Sequence, residues 1–130
     1  MEFRVYYEDT DAGGVVYNAR YLGFFERGRT EFLRERGVTA REMADNGSIF
    51  PVIRVEMDFR APAVLDDLLR VETRVLEVGK AAFTLEQKVL RAADGKVLVE
   101  GKVTLACISQ TLKAKRLPSE LVEILNAARI

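Results

Sequence analysis

Hydrophobic and polar residues alternate along the second half of the chain, which predicts a run of β-strands. The clearest segment is 53–59, where Ile53, Val55, Met57 and Phe59 alternate with charged residues and predict a half-buried strand. Three more alternating segments follow, and turn-forming residues separate them at 62–67, at 79–80 and at 94–95. We therefore expect four consecutive antiparallel strands.

The first half of the chain has a different period. After a short alternating segment at residues 3–7, apolar residues recur at helical spacing between 18 and 36 and predict a long helix with Gly37 as its C-cap. Its predicted buried stripe consists of Tyr21, Phe25, Gly28 and Phe32, flanked by Leu22 and Leu33.

Two shorter helices are also predicted. Thr39 and Glu42 form a capping box that opens the first, which Asn46-Gly47 ends, and Pro118 introduces the second over residues 119–128. The order of elements is α+β, with a five-stranded antiparallel sheet that wraps one long helix. No linker divides residues 1–130, so we expect a single domain, and Gly101 is expected to mark a bend or bulge.

The last two predicted strands carry a second apolar set on the face opposite their core residues: Leu90, Leu98, Ala106 and Ile108. A monomer would leave this set exposed, which predicts an interface between copies of the chain. A scatter of exposed leucines is the alternative interpretation.

Charge and cysteine content exclude several classes of function. The 130 residues carry 20 basic and 20 acidic side chains, which argues against a nucleic-acid partner. No apolar run approaches the roughly 20 residues of a membrane helix, so we expect no membrane insertion. Cys107 is the only cysteine, which excludes an intrachain disulfide and predicts a reducing compartment, most simply the cytoplasm.

The chain contains no histidine. This absence excludes a Ser-His-Asp triad, a Cys-His pair, histidine metal ligands and a histidine general base. We therefore expect carboxylates to carry the proton transfers of any catalytic site.

The candidate site is the loop of residues 9–18, where Asp9 and Asp11 flank Thr10 and two glycines precede a helix start at Asn18. Free N–H groups at a helix N-terminus can polarise a carbonyl group, and a nearby carboxylate can attack it or deprotonate water. The alternative is purely structural: the acids cap turns, the glycines supply positive φ and the nearby tyrosines pack in the core.

Residues 5–21 read VYYEDTDAGGVVYNARY, and Ala61-Pro62-Ala63 and Leu65-Asp66-Asp67 follow later. This string closely resembles the hotdog-fold acyl-CoA thioesterases, and more narrowly the 4-hydroxybenzoyl-CoA thioesterase-like group with its tol-pal-associated branch. The resemblance implies a hotdog fold, in which a curled antiparallel sheet wraps one long helix. The order of elements given above agrees with that fold.

The resemblance also implies roles for individual residues. Asp11 matches the catalytic carboxylate, either as a nucleophile that forms an acyl-enzyme anhydride or as a general base. The backbone N–H of Asn18 matches the group that polarises the thioester carbonyl, whereas Asp9 is expected to be structural. The substrate-binding positions are Gly14, Val15, Tyr17 and Lys80.

Lys80 matches a turn near the nucleotide of coenzyme A, although a solvated hairpin lysine is the alternative. The family implies no metal or other cofactor, because coenzyme A enters as part of the substrate. It also implies a homodimer or tetramer whose active sites lie between subunits.

One position departs from the branch, which usually has histidine where this chain has Asn18. We expect this difference to affect the acyl-chain preference and the rate of hydrolysis, but not the catalytic role of Asp11. The expected function is hydrolysis of an acyl-CoA, or of an acyl-carrier-protein thioester, to a free acid. The alternatives are a non-catalytic acyl-CoA or acyl-carrier-protein binding protein, and a structural partner at the cell envelope.

Overall fold

The computed structural model describes residues 1–130 as one sheet and three α-helices. None of the helices has the length and apolarity that crossing a membrane requires. The strands are β1 (Glu2–Arg4), β2 (Val52–Phe59), β3 (Leu68–Val78), β4 (Ala82–Arg91) and β5 (Val97–Ala106). The helices are α1 (Arg20–Arg34), α2 (Ala40–Asp45) and α3 (Ser119–Ala127).

All neighbouring strands are antiparallel, and their order across the sheet is β1-β3-β4-β5-β2. Helix α1 lies against the central strands β3 and β4. Register shifts interrupt three of the four strand pairings, and such bulges increase the local twist that curls a sheet. The predicted fold class is confirmed: a curled, five-stranded antiparallel sheet around one long helix.

The helix boundaries follow their capping residues. Helix α1 is slightly shorter than the predicted 18–36, and Gly37 ends its last turn with φ +86°, as expected of a C-cap glycine. Thr39 caps α2, because its hydroxyl accepts a hydrogen bond from the Glu42 N–H. The buried face of α1 also includes Phe24, which the predicted stripe omitted.

Helix α1 approaches the sheet most closely at Gly28. A Cβ atom on this residue would lie 2.3 Å from Cγ1 of Val71 on β3. Gln87 on β4 fixes the same part of the helix, because its buried side-chain amide donates to the Phe25 carbonyl at 2.8 Å and to the Thr73 hydroxyl at 3.0 Å. A small residue and one buried polar side chain therefore set how α1 rests on the sheet.

Two predictions about apolar residues are wrong for the single chain. Strand β2 is not half-buried: Ile53 and Phe59 are 61% and 50% exposed, because β2 is an edge strand and α1 covers the sheet centre. Leu90 and Leu98 are buried rather than exposed. Leu98 has no partner at the register shift between β4 and β5, and this bulge turns it inward beside Val99.

Gly101 lies in uninterrupted register with both neighbouring strands, so it marks no bulge. A Cβ atom on Gly101 would lie 2.0 Å from the Glu56 carbonyl oxygen on β2. The glycine is therefore required by the close approach of the β2 backbone.

The packing at Gly28 predicts opposite effects for two glycines of the same helix. Gly28→Ala should lower the free energy of unfolding by about 1–2 kcal/mol, because the added methyl group overlaps the stiff Val71 side chain. Gly23→Ala is the matched control, since nothing lies within 4 Å of its Cβ position. It should raise stability by about 0.5–1 kcal/mol through helix propensity. Urea denaturation of both variants measures the difference, and equal effects would contradict the close approach.

Candidate functional site

The loop before α1 folds as a tight hairpin. The Asp11 N–H donates to the Val15 carbonyl at 2.9 Å, and the Gly14 N–H donates to the Asp11 carbonyl at 3.0 Å. Gly14 adopts φ +80°, a conformation that favours glycine. The two glycines of the motif thus allow the chain to reverse within five residues.

Backbone hydrogen bonds tie this hairpin to the sheet. The Val16 N–H donates to the Ala63 carbonyl at 2.9 Å, and Val15 forms a β-bridge with Val64. The Tyr17 N–H donates to the Asp9 carbonyl at 2.9 Å, which joins the base of the hairpin to the start of α1. These contacts place the hairpin next to the segment that follows β2.

Asp9 and Asp11 lie in contrasting environments. Asp9 is only 4% exposed, and its carboxylate accepts hydrogen bonds from the Arg20 guanidinium at 2.5 and 3.0 Å and from the Tyr6 N–H at 2.9 Å. A buried carboxylate needs such partners, because an unpaired buried charge destabilises the folded state strongly, whereas the pair itself adds little net stability. The Asp9 carboxylate therefore fastens the loop to the first turn of α1.

Asp11 is exposed, and only one of its carboxylate oxygens has a partner within the chain. Oδ1 accepts from the Gly13 N–H at 2.8 Å. No side-chain cation pairs with this carboxylate, so its second oxygen is free to contact a bound molecule. The Asp11 carboxylate is therefore accessible, and its bond to the Gly13 N–H is the turn-capping contact that the structural alternative predicts.

The start of α1 provides free hydrogen-bond donors beside this hairpin. The N–H groups of residues 20–22 donate to carbonyls three residues earlier, which forms a tight first turn. The N–H of Asn18 and that of Ala19 have no acceptor within the chain, and both residues are exposed. Such orphan donors at a helix N-terminus can polarise a carbonyl oxygen.

Only one of the four tyrosines packs in the core. Tyr21 is buried, contacts the Phe24 and Phe59 rings edge-on, and accepts a hydrogen bond from the Ala63 N–H at 3.4 Å. Burial raises the pKa of the Tyr21 hydroxyl above its usual value, so this group stays neutral. Tyr6, Tyr7 and Tyr17 are exposed around the hairpin and leave an aromatic surface beside Asp11.

The single chain brings together Asp11, Gly14, Val15, Tyr17 and Asn18, but it does not bring Lys80 to them. The hairpin contacts residues just before β3, whereas Lys80 lies in the exposed turn just after β3. Eleven residues of strand separate these ends by about 36 Å. Within one subunit Lys80 cannot contact a thioester at Asp11.

Arg20 and Ala63 lie in the strings that carry the family resemblance, but the sequence alone assigned neither residue a role in the site. Arg20 pairs with Asp9, which lies eleven residues earlier in the chain. Ala63, which follows β2, accepts a hydrogen bond from the Val16 N–H of the hairpin. Both contacts join positions that no local pattern pairs, so the fold was needed to reveal them. No group of three or more Cys, Asp or Glu side chains lies close enough to hold a metal ion.

Comparison with known proteins agrees with this architecture. The chain is 48% identical to the acyl-CoA thioesterase YbgC of Haemophilus influenzae over 106 residues, which cover 81% of this chain and 76% of that protein. A probable thioesterase from Bartonella henselae is 43% identical, with a TM-score of 0.86 and coverage of 91% of this chain and 97% of the other. A hypothetical protein from Thermus thermophilus is 30% identical, with a TM-score of 0.92 and coverage of 100% and 96%.

The model of one protein family, described as the thioesterase-like superfamily, matches residues 5–125. This range includes the hairpin, all of α1, strands β2 to β5 and most of α3. The fold and the enzyme class expected from the sequence, a thioester hydrolase with a hotdog fold, are confirmed. The chain belongs to the thioesterase-like superfamily.

Proposed function

We propose that the protein hydrolyses an acyl-CoA thioester to a free acid and coenzyme A at the hairpin before α1. The observation that carries this proposal is the placement of an exposed carboxylate, Asp11, and the unpaired N–H of Asn18 on one short, anchored segment. The curated relative from Haemophilus influenzae is named an acyl-CoA thioesterase, which supports the substrate class.

In this mechanism the Asn18 N–H donates a hydrogen bond to the thioester carbonyl oxygen and stabilises the negative charge that develops there. The Asp11 carboxylate then acts by one of two routes. As a nucleophile it bonds to the carbonyl carbon, the C–S bond breaks, and water hydrolyses the resulting anhydride. As a general base it accepts a proton from water, and the hydroxide displaces the thiolate.

The neighbouring residues suit this chemistry. Gly14 is exposed and Val15 is half-buried in the turn that Asp11 closes, and Tyr17, which precedes Asn18, presents an exposed ring. Neither route needs a metal or another cofactor, because coenzyme A leaves as part of the substrate. The backbone N–H of residue 18 needs no particular side chain for this role, so we expect asparagine in place of histidine to change the acyl-chain preference and the rate but not the polarisation of the carbonyl.

The hydrolytic role predicts the behaviour of Asp11→Asn. Turnover of acyl-CoA should fall by about 10²–10⁴, since the amide neither attacks the carbonyl nor deprotonates water. Glu8→Gln is the matched control, because Glu8 is an exposed carboxylate nearby without an ion pair, and its turnover should match the parent. Thiol release from short-, medium-, long-chain and aromatic acyl-CoAs measures both variants.

Turnover by Asp11→Asn at the rate of the unmodified protein would rule out this mechanism. If the unmodified protein binds these substrates but hydrolyses none of them, the result would favour the non-catalytic binding protein.

We further propose that the protein is a homodimer joined along β2. This edge strand is eight residues long and its outer apolar side chains are exposed, whereas the other edge strand, β1, has only three residues. A long, apolar, unpaired edge strand favours pairing with a second chain. Antiparallel pairing of two β2 strands would bring the start of β2 in one subunit next to the hairpin of the other.

This interface predicts the effect of Val55→Lys at the middle of β2. The variant should sediment as a monomer and lose most of its turnover, because a charge in the paired edge opposes association and separates the shared sites. Leu112→Lys is the control, since Leu112 is an exposed apolar residue outside the sheet, and it should stay dimeric. Sedimentation velocity distinguishes these outcomes, and a dimeric Val55→Lys protein with normal turnover would place the interface elsewhere.

The dimer also gives Lys80 a role that the single chain does not. Lys80 lies at the end of the sheet where β2 begins, and its carbonyl accepts from the Leu117 N–H. Two further exposed cations, Lys113 and Arg116, lie on the adjacent segment, and like Lys80 they form no ion pair. The Lys115 ammonium is not part of this cluster, because it donates to the Gly47 carbonyl and the Ser48 hydroxyl. We propose that this cluster binds the coenzyme A phosphates of a substrate held at the partner's hairpin.

Phosphate binding predicts that Lys80→Glu raises KM for acyl-CoA about tenfold, the change expected when one charge-assisted contact is lost. The same variant should hydrolyse an N-acetylcysteamine thioester, which lacks the phosphates, at the parental rate. Lys96→Glu, an exposed lysine in the turn between β4 and β5, serves as control and should leave both parameters unchanged. Equal KM increases for the two substrates would contradict the role.

The single cysteine is informative about the redox state of the compartment in which the protein works. Cys107 is a buried, free thiol that donates weakly to the Arg116 carbonyl at 3.6 Å. The chain has no second cysteine with which to form a disulfide. We propose on this basis that the enzyme works in the reducing environment of the cytoplasm.

A further inference from the structure

Gln87, on the central strand β4, carries a fully buried amide of which only one end is hydrogen-bonded within the chain. Its Nε2 donates to the Phe25 carbonyl at 2.8 Å and to the Thr73 hydroxyl at 3.0 Å, whereas its Oε1 is buried without a partner in the chain. The Phe25 carbonyl can only accept, so an amide turned by 180° would place one acceptor against another. The unpaired oxygen is therefore inherent in this contact.

The contact with Phe25 adds little to the stability of the fold. The Phe25 carbonyl already has an acceptor role inside the regular α-helix, where it receives the Arg29 N–H. A typical hydrogen bond contributes only modestly to folding, because the unfolded chain bonds to water instead, and an unpaired buried oxygen offsets even that gain. An apolar side chain of the same length would serve the core equally well, so stability does not account for Gln87.

The same contact is the only hydrogen bond between α1 and a strand of the sheet. The rest of the buried face of the helix, which includes Phe24 and Gly28, packs through apolar contacts. Burial of apolar surface has no preferred direction, whereas a hydrogen bond weakens steeply with distance and angle. Gln87 therefore restricts how far α1 can slide or rotate on β4, which apolar packing alone restricts less.

The two halves of the proposed thioester site are anchored to the sheet by different contacts. The hairpin that carries Asp11 is bonded through the Val16 N–H to the Ala63 carbonyl, after β2. Asn18 precedes α1 and lies seven residues before Phe25, about two turns or roughly 10 Å along the axis. A small movement of the helix thus shifts the Asn18 N–H relative to Asp11, and a misplacement of about 1 Å can lower a rate about a hundredfold.

We propose that Gln87 is a positioning residue for thioester hydrolysis, an inference that rests on the proposed function. Its amide fixes α1 on the sheet and thereby sets where the Asn18 N–H lies relative to the Asp11 carboxylate. The side chain is fully buried, so it acts through Asn18 and not on the substrate itself. Loss of the contact should therefore lower kcat without a matching loss of stability or of substrate binding.

Two substitutions of Gln87 separate positioning from stability. Gln87→Met keeps the length of the side chain but removes both the bond to Phe25 and the unpaired oxygen, so its urea midpoint should equal or exceed that of the unmodified protein. Gln87→Asn keeps a buried amide that is one methylene too short to reach the Phe25 carbonyl, so its urea midpoint should fall. Both variants should lose about ten- to a hundredfold in kcat for acyl-CoA, with KM changed by less than about twofold.

Gln110→Met is the matched control. The Gln110 amide donates to the Ala44 carbonyl of α2 at 3.0 Å, which is the same kind of contact on a helix that does not carry the thioester site. This variant should keep the kcat of the unmodified protein. Circular dichroism at the assay temperature verifies that every variant is folded.

Two results would overturn the proposal while leaving the proposed function intact. The first is a kcat that follows the urea midpoint, impaired in Gln87→Asn and unchanged in Gln87→Met, which would make Gln87 structural only. The second is an equal loss of kcat in Gln110→Met. If the unmodified protein hydrolyses no acyl-CoA, the proposed function fails instead, and crystal structures then test the positioning. Gln87→Met should displace the Asn18 nitrogen from Asp11 by more than about 0.5 Å, and an unmoved helix would overturn the proposal.

Discussion

The position of α1 on the sheet is the constraint on which the rest of the structure depends. Gly28 lets the helix approach Val71, and Gln87 holds the helix backbone from below through the Phe25 carbonyl. With its centre fixed, the N-terminus of α1 emerges beside the segment that follows β2, where the hairpin is anchored. The other half of the helix spans an apolar cavity beside α2 and α3. The candidate site at the hairpin thus derives its position from the contact between α1 and the sheet.

Two chemically identical side chains, Asp9 and Asp11, lie in very different surroundings. Asp9 is buried against Arg20 and the Tyr6 N–H, so its carboxylate serves only to join the loop to α1. Asp11, two residues later, faces solvent with one oxygen free. The Asp9 carboxylate fastens the loop to the helix start, and in the proposed mechanism this contact holds Asp11 on the same anchored segment as the Asn18 N–H. Preorganisation of this kind lowers the cost of reaching a transition state.

Local patterns predicted the elements because each has a signal within a few residues: the period of residues 68–105, the Thr39 cap and the Gly37 terminator. The hairpin was also predictable, since its glycines and acids form one continuous string. Contacts between segments that are distant in the sequence could not be predicted. The sequence carried no signal that a bulge would turn Leu98 inward or that β2 would be an exposed edge. These features depend on how the sheet curls around α1.

A crystal structure of the Asp11→Asn protein with a bound acyl-CoA would test the central claim most directly. The account predicts that the thioester carbonyl oxygen lies about 2.7–3.2 Å from the Asn18 nitrogen. It also predicts that the carbonyl carbon lies about 3–3.5 Å from the residue 11 side chain or from a water held by it. The adenosine phosphates should contact Lys80 of the partner subunit. A thioester bound with its carbonyl away from the start of α1 would contradict the account.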